Sequence, residues 1–271
     1  MKKRIHASVV LMYIFLIFAC FFSAFPFFWM ISAATNRSVD IIKGKVFFGS
    51  YLFENFRTLL STVNLGRAFF NSLRNSVIGT LASVSICSMA GYGFQIYRDR
   101  HKDRLMSILL ISMMVPFASI MVPLYRMFSI ARLLDTTIGF ILPSISTAFL
   151  IFFFRQSSMS FPMEIVQAAR VDGLGEFGIY SRIYFPIMAP TFAAAAIVTF
   201  MANWNNYLWP LIIMQQQESR TMPMLLVGLT AGYVTDYGIL MLAVTICTLP
   251  TVLLFFTQQR RFVEGILGSV K

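Results

Sequence analysis

The spacing of the charged residues constrains the fold of this chain most strongly. Its 271 residues include 22 Lys and Arg and 11 Asp and Glu, and these charges leave six intervals of 19 or more uncharged residues. A helix needs about 20 uncharged, mainly apolar residues to cross a hydrocarbon core of about 30 Å. The sequence therefore predicts an all-α integral membrane protein with six transmembrane helices. The intervals lie between Arg4 and Arg37, Arg74 and Arg98, Arg104 and Arg126, Asp135 and Arg155, Arg182 and Glu218, and Asp236 and Arg260.

The predicted spans take up most of the chain. Since 58% of the residues are hydrophobic and 12% are charged, little remains to build a separate water-soluble domain, and residues 1–271 are expected to form a single transmembrane domain. The apolar run from Ala7 to Ile31 is longer than the core of a secretory signal, so it predicts an uncleaved first span. The approximate spans are 9–31, 72–94, 105–125, 138–154, 187–214 and 238–257.

The basic residues predict the orientation of these spans. Six crossings place both termini on the same side, and short loops rich in Lys and Arg face the cytoplasm. The very short segment 98–104 contains Arg98, Arg100, Lys102 and Arg104, which favours cytoplasmic N- and C-termini, including a tail at 258–271. Contact between such loops and anionic lipid headgroups accounts for the net charge of +11 without a nucleic acid partner.

Catalytic and metal chemistry find little support in the sequence. Cys20, Cys87 and Cys247 lie in apolar intervals, and His6 and His101 are far apart without partners at ligand spacing. By construction, the six intervals contain no acidic residue that could act as a general acid or base. No G-x-x-x-x-G-K-[ST] phosphate loop occurs. The sequence predicts no catalytic residue, no metal site, no cofactor bound by this chain and no enzymatic activity.

The one long inner loop, residues 155–185, is able to form helices. Ser160 is expected to cap a helix entered through Pro162 and closed at Gly173, and a second short helix is expected from Glu176 to Tyr184. The first helix would carry an apolar stripe of small residues at i, i+3, i+4 and i+7. The residues alone leave two interpretations open: a loop lying on lipid headgroups, or a surface that binds another protein. The stripe consists of Ile165, Ala168, Ala169 and Asp172.

Spaced residues in this loop resemble a known motif. The EAA loop of binding-protein-dependent ABC importer permeases follows the pattern E-A-A, three residues, G, nine residues, I, one residue, L-P. This chain departs from the pattern at Gln167 and Phe185, and Glu164, one helical turn before Gln167, could supply the missing charge. We call residues 155–185 the EAA-like loop. The residues that the resemblance assigns to ATPase coupling are Glu164, Gln167, Ala168, Ala169, Asp172, Gly173, Ile183 and Pro186.

Two further stretches are similar to the carbohydrate-uptake branch of that family. Residues 200–211 resemble the segment that follows the EAA loop, and residues 262–271 resemble the C-terminus of its smaller, maltose-permease-like subunit. The resemblance implies a cytoplasmic coupling helix between the fourth and fifth spans. It also implies a second homologous permease subunit, two cytoplasmic ATPase subunits that bind ATP and Mg²⁺, and an extracytoplasmic sugar-binding protein.

A polar and aromatic cluster on the fifth predicted span is the candidate substrate pathway. Amide groups suit sugar hydroxyls, and aromatic rings suit the apolar face of a pyranose. On a continuous helix, Asn203, Asn206, Tyr207 and Pro210 would share one face, which should point into the bundle or a wet cavity. An interfacial aromatic belt with interhelical hydrogen bonds is the alternative. The pathway residues are Asn203, Trp204, Asn205, Asn206, Tyr207 and Trp209.

Together these features predict a multi-pass permease subunit of the bacterial cytoplasmic membrane. It would import a sugar or oligosaccharide by alternating access, coupled to separate ATPases through residues 164–186. Two alternatives remain open: an ABC permease for another solute such as a polyol, and an ATP-independent channel or carrier.

Overall fold

The computed structural model describes residues 7–97, 99–232 and 234–267, and every regular element among them is helical. The all-α prediction is therefore confirmed for this part of the chain. The α-helices are α1 Ala7–Ala33, α2 Ser38–Ile42, α3 Leu52–Thr62, α4 Leu65–Ile96, α5 Arg100–Ser112, α6 Phe117–Ile130, α7 Thr137–Ile141, α8 Ala148–Ser158, α9 Met163–Val171, α10 Glu176–Ile179, α11 Phe185–Ile187, α12 Ala189–Trp204, α13 Leu208–Ile213, α14 Met222–Thr230 and α15 Tyr237–Leu267. Short 3₁₀ turns cover Leu142–Ser144 and Gln217–Ser219, and Tyr180–Tyr184 is π-helical.

Three single helices among the described residues are long and apolar enough to cross a membrane. They contain the segments Ser8–Ala33, Leu65–Ile96 and Tyr237–Gln259, with mean hydropathies of 2.5, 1.5 and 2.5. α15 continues to Leu267, so the predicted tail begins as a helix, while residues 268–271 lie outside the described part of the chain. Residues 1–6, for which a cytoplasmic position is predicted, also lie outside the described part of the chain.

Two of the three remaining predicted spans, 105–125 and 138–154, correspond to bent pairs of helices, and the third, 187–214, contains α12 and α13. α5 and α6 meet at 96°, α7 with its 3₁₀ turn meets α8 at 53°, and α10–α11 meet α12 at 83°. The predicted spans 105–125 and 138–154 therefore correspond to bent pairs and not to single helices. Pro116 caps the start of α6 because proline lacks an N–H and disfavours a helical residue before it, and Pro143 lies in the second break. The described residues thus hold three spans, or up to six if each bent pair is one span.

The chain divides into two compact units. The first consists of the residues up to Leu65 together with Leu225–Leu249, and the second of Gly66–Met224 together with the residues from Pro250. In the first unit, the Asn55 amide donates hydrogen bonds to the carbonyls of Ala34 (2.9 Å) and Asn36 (3.0 Å). These bonds fasten α3 to the end of α1, because a buried amide is stable only when its donors are paired.

The core of the second unit joins the EAA-like loop to the long helices. Cys87 and Tyr92 of α4, Phe154 of α8 and Phe192 of α12 belong to one buried cluster that also contains Val166 of α9. Apolar side chains from these four helices are removed from water together, and this burial is the main stabilising term for the loop. The loop is therefore built into the helical bundle.

Candidate functional site

The turn after α9 explains the spacing between the two alanines and the glycine of the EAA-like loop. Gly173 has φ +82°, a left-handed conformation that glycine adopts without a steric penalty. Its N–H donates to the carbonyl of Arg170 (3.1 Å), and the Leu174 N–H donates to the carbonyl of Ala169 (3.0 Å). This bonding pattern is a Schellman motif, which satisfies the last carbonyls of a helix. The predicted helix end at Gly173 is confirmed.

The start of α9 differs from the prediction. Pro162 is the N-cap residue, with φ −66° and ψ 120°, and no side chain caps the helix. The Ser160 hydroxyl instead donates to the carbonyl of Ser157 (2.9 Å), so the predicted Ser160 cap is wrong. The fixed φ of proline orders the entry to the helix without a side-chain bond.

The two faces of α9 have different surroundings. Val166 and Ala169 are buried in the core of the second unit, whereas Glu164, Gln167 and Ala168 are exposed. The predicted stripe is therefore divided: Ala169 packs inward, and its other members lie on the exposed surface. The larger Val166 side chain, three residues before Ala169, sets the buried face. The exposed surface of α9 and its following turn comprises Glu164, Ile165, Gln167, Ala168, Val171, Asp172 and Gly173.

An ion pair closes the loop on itself. The Arg170 guanidinium donates to the Glu176 carboxylate (2.7 Å), and it lies 5.6 Å from the ring centroid of Tyr97, just beyond α4. The hydrogen bond to Glu176 raises the pKa of Arg170 above its ordinary value. The pair is half-exposed, so solvent screens it and its contribution is mainly to orientation. It ties α9 to α10 and places both beside the end of α4.

A tyrosine cluster joins the second half of the loop to the membrane helices. Tyr180 and Tyr184 stack on each other in the π-helical turn (5.6 Å), and both contact Tyr92 of α4 edge to face, at 5.5 and 4.8 Å. Their hydroxyls lie 2.6 Å from those of Ser88 and Ser158, respectively. The predicted short helix from Glu176 to Tyr184 is confirmed, and its second half, Tyr180–Tyr184, is π-helical. The wider π turn sets Tyr180 and Tyr184 on one side of the segment.

The other predicted coupling residues occupy the end of the loop. Ile183 is partly buried against the same core, and Pro186 is exposed in the first turn of α11. The sequence interpretation missed Ser88, Tyr92 and Tyr97, which hold the loop in place. A signal was present, because Tyr180 and Tyr184 are four residues apart and two more tyrosines end the second predicted span.

The predicted pathway cluster is not on one helical face. α12 ends at Trp204, Asn205 is its C-cap, and α13 begins at Leu208. The shared face predicted for Asn203, Asn206, Tyr207 and Pro210 is therefore wrong. The break has a local cause, because the Asn205 side chain donates to the carbonyl of Met201 (2.9 Å) and competes with continuation of the helix.

The two tryptophans of this cluster are packing residues. Trp204 stacks on Phe200 (5.8 Å) and contacts Phe69 edge to face (5.6 Å). Trp209 is 1% exposed, its indole N–H donates to the carbonyl of Gly139 (2.9 Å), and its ring contacts Phe128 at 5.2 Å. Buried tryptophans with paired N–H groups stabilise helix contacts.

The amide residues and the tyrosine of the cluster are divided among different surroundings. Asn205 is exposed, and Asn206 and Tyr207 are half-buried. Asn203 is buried, and its side-chain oxygen accepts from the Ser144 hydroxyl at 3.4 Å. Of the six predicted pathway residues, Asn203 is the buried polar one.

Comparison with known proteins places these features in one sequence family. Residues 89–267 match the family described as binding-protein-dependent transport system inner membrane component. The chain is 44% identical over 262 residues to the lactose transport system permease protein LacG of Rhizobium radiobacter, covering 97% of this chain and 96% of that protein. It is 32% identical over 260 residues to the arabinooligosaccharides transport system permease protein AraQ of Halalkalibacterium halodurans, covering 94% and 93%.

The fold is similar to that of a solved membrane protein. A chain from the crystal structure of a bacterial ABC transporter involved in the import of the acidic polysaccharide alginate superposes with a TM-score of 0.81. The match covers 96% of this chain and all of that chain, at 17% sequence identity. It establishes a common fold.

Proposed function

Because this chain belongs to the family of inner membrane components of binding-protein-dependent transport systems, we propose that a sugar or oligosaccharide is the solute that it imports. The chain is a transporter subunit and not an enzyme, in keeping with the resemblance of its loop to the EAA motif. Two relatives whose names specify lactose and arabinooligosaccharides support a carbohydrate substrate. A polyol is the alternative solute class.

The single observation that carries the coupling proposal is the two-sided environment of α9. Val166 and Ala169 fix one face in the core of the second unit, while Gln167 and Ala168 present a surface of small and polar residues. An ATPase bound to that surface could displace the tyrosine cluster and thereby α4, α8 and α12. Binding that differs between two conformations shifts their populations, which is the physical basis of alternating access.

The membrane topology is part of the same proposal. We assign six spans, formed by α1, α4 and α15, by the bent pairs α5–α6 and α7–α8, and by α12 with α13, with both termini and the EAA-like loop in the cytoplasm. The basic residues Arg100, Lys102 and Arg104 at the start of α5 support this orientation under the positive-inside rule. The lipid bilayer is the cytoplasmic, or inner, membrane of a bacterium.

The complete importer requires other chains. We propose one homologous permease partner, two cytoplasmic ATPases that hold ATP and Mg²⁺, and an extracytoplasmic binding protein that delivers the sugar. The exposed surface of α9 is assigned to one ATPase. No cofactor is assigned to this chain.

Uptake in proteoliposomes tests this function. The permease, its companion, the ATPases and the binding protein are co-reconstituted and given lactose, arabinooligosaccharides or glycerol with ATP inside. We expect accumulation of a sugar that stops when ATP is omitted. Preferential uptake of glycerol would replace the sugar with a polyol, and equal flux without ATP would identify a channel or carrier.

A further inference from the structure

One face of α4 is polar between Asn71 and Ser83, although α4 is one of the three long apolar helices. Its buried polar residues recur with helical spacing, so they lie on one side of the helix. Near the two ends they pair with irregular backbone: Asn71 donates to the carbonyls of Glu218 (2.8 Å) and Arg220 (3.0 Å), and Ser83 donates to that of Ser144 (2.9 Å). The buried polar residues on this side are Asn71, Ser72, Asn75, Ser76, Thr80 and Ser83.

The middle of this face is different. The Asn75 side-chain nitrogen and the hydroxyl oxygens of Ser76 and Thr80 are buried and have no hydrogen-bond partner among the described residues. All three side chains are at least nine-tenths buried, with Asn75 and Ser76 fully inaccessible. They occupy consecutive turns on either side of Gly79.

Asn203 of α12 faces this region. A Cβ placed on Gly79 would lie 3.0 Å from the side-chain nitrogen of Asn203, so the absence of a side chain at Gly79 allows α12 to approach α4. That nitrogen is also buried without a hydrogen-bond partner among the described residues. We call Asn75, Ser76, Thr80 and Asn203 the polar seam.

Burial of the polar seam costs free energy. An amide or hydroxyl removed from water without a partner loses its hydration, and an apolar residue of the same shape would avoid this loss. Packing alone therefore does not explain four such groups in one place. Polar groups inside membrane segments that lack internal partners usually face a cavity or a transported solute at some stage.

We propose that the polar seam is a subsite for the hydroxyl groups of a neutral solute, reached when α4 and α12 separate during transport. This subsite rests on the proposed import function and gives it a location in this chain. The amide nitrogens donate to hydroxyl oxygens, and the hydroxyls of Ser76 and Thr80 donate or accept. The four groups are uncharged, which suits a sugar better than a phosphorylated compound.

Equilibrium binding to the purified complex tests the subsite directly. The variants are Ser76→Ala and Thr80→Val, each close in shape to the original residue, and Ser85→Ala is the matched control because Ser85 is exposed on the same helix. The probe is a radiolabelled sugar, either lactose or an arabinooligosaccharide, whichever the wild type takes up faster in the proteoliposome experiment. Its binding is measured without the binding protein, both with and without a non-hydrolysable ATP analogue.

We expect Ser76→Ala and Thr80→Val to raise the dissociation constant about 3- to 10-fold, the usual effect of losing one or two hydrogen bonds. Their thermal unfolding midpoints should be unchanged or higher, because each removes an unpaired buried hydroxyl. Ser85→Ala should resemble the wild type in both measurements.

The subsite is overturned if the wild-type complex takes up sugar but does not bind it under either nucleotide condition, or if the two variants bind as the wild type does. A lower unfolding midpoint with unchanged binding would also overturn it, since the seam would then be a structural network. If the wild type takes up no member of the panel, the proposed import function fails first and the subsite fails with it.

Discussion

The hydroxyl groups of Ser88 and Tyr180 lie 2.6 Å apart and connect the middle of the EAA-like loop to α4. Ser88 lies on α4, about two turns after Thr80 of the polar seam. A displacement of the loop is therefore passed to α4 through a hydrogen bond and through the ring contacts of Tyr180 with Tyr92. This connection forms a short physical path between the exposed surface of α9 and the membrane helices.

A double-mutant cycle on this pair measures its strength. Ser88→Ala and Tyr180→Phe remove the two hydroxyls and keep the packing, so we expect a coupling energy of about 0.5–1.5 kcal/mol in unfolding. Each single variant should also reduce the sugar transported per ATP hydrolysed. Additive effects in both measurements would show that the hydroxyl pair does not link the loop to α4.

The exposed surface of α9 is expected to bind the ATPase. Ile165→Asp places a charge on that surface and should weaken ATPase binding at least tenfold, or about 1.4 kcal/mol, since an apolar contact is replaced by a desolvated charge. Ile42→Asp in α2 is the matched control, because Ile42 is also exposed but lies far from α9 in sequence. Co-purification and binding titration of the ATPase provide the measurement. Equal binding by the Ile165→Asp variant and the wild type would remove α9 from the interface.

Trp209 is expected to stabilise the bundle without contacting the solute. Trp209→Phe leaves the carbonyl of Gly139 without its indole donor, and the loss should cost about 1–3 kcal/mol. A lower unfolding midpoint with an unchanged dissociation constant for sugar is the predicted pair of results. A weaker affinity at unchanged stability would return Trp209 to the substrate pathway.

The local signals in the sequence were sufficient for part of the fold and the site. The charge-free intervals located the long helices, and Gly173 marked a helix end, because both depend on the chemistry of a few neighbouring residues. The bend near Pro116 and the break after Trp204 follow from Pro116 and from the Asn205 side chain, which a count of uncharged residues does not take into account. The buried position of Ala169 depends on tertiary packing. That packing overrides a helical pattern read one segment at a time.

The polar seam also could not be predicted from single segments of the sequence. Asn203 is far from Ser76 and Thr80 in sequence, and an isolated serine or threonine in an apolar helix is common. Only the approach of α12 to Gly79 brings these groups into one region and reveals that they lack partners.

The ratio of sugar transported to ATP hydrolysed, in proteoliposomes containing a Gly173→Val variant, tests the central claim most directly. Valine at φ +82° is strained by about 1–2 kcal/mol or more, although no atom within 4 Å would clash with its Cβ. Gly175→Val is the matched control, since Gly175 has φ −71° and equally open surroundings. We expect normal membrane insertion for both variants, a strongly reduced ratio for Gly173→Val and a near-normal ratio for Gly175→Val. A normal ratio for Gly173→Val would contradict coupling through the EAA-like loop.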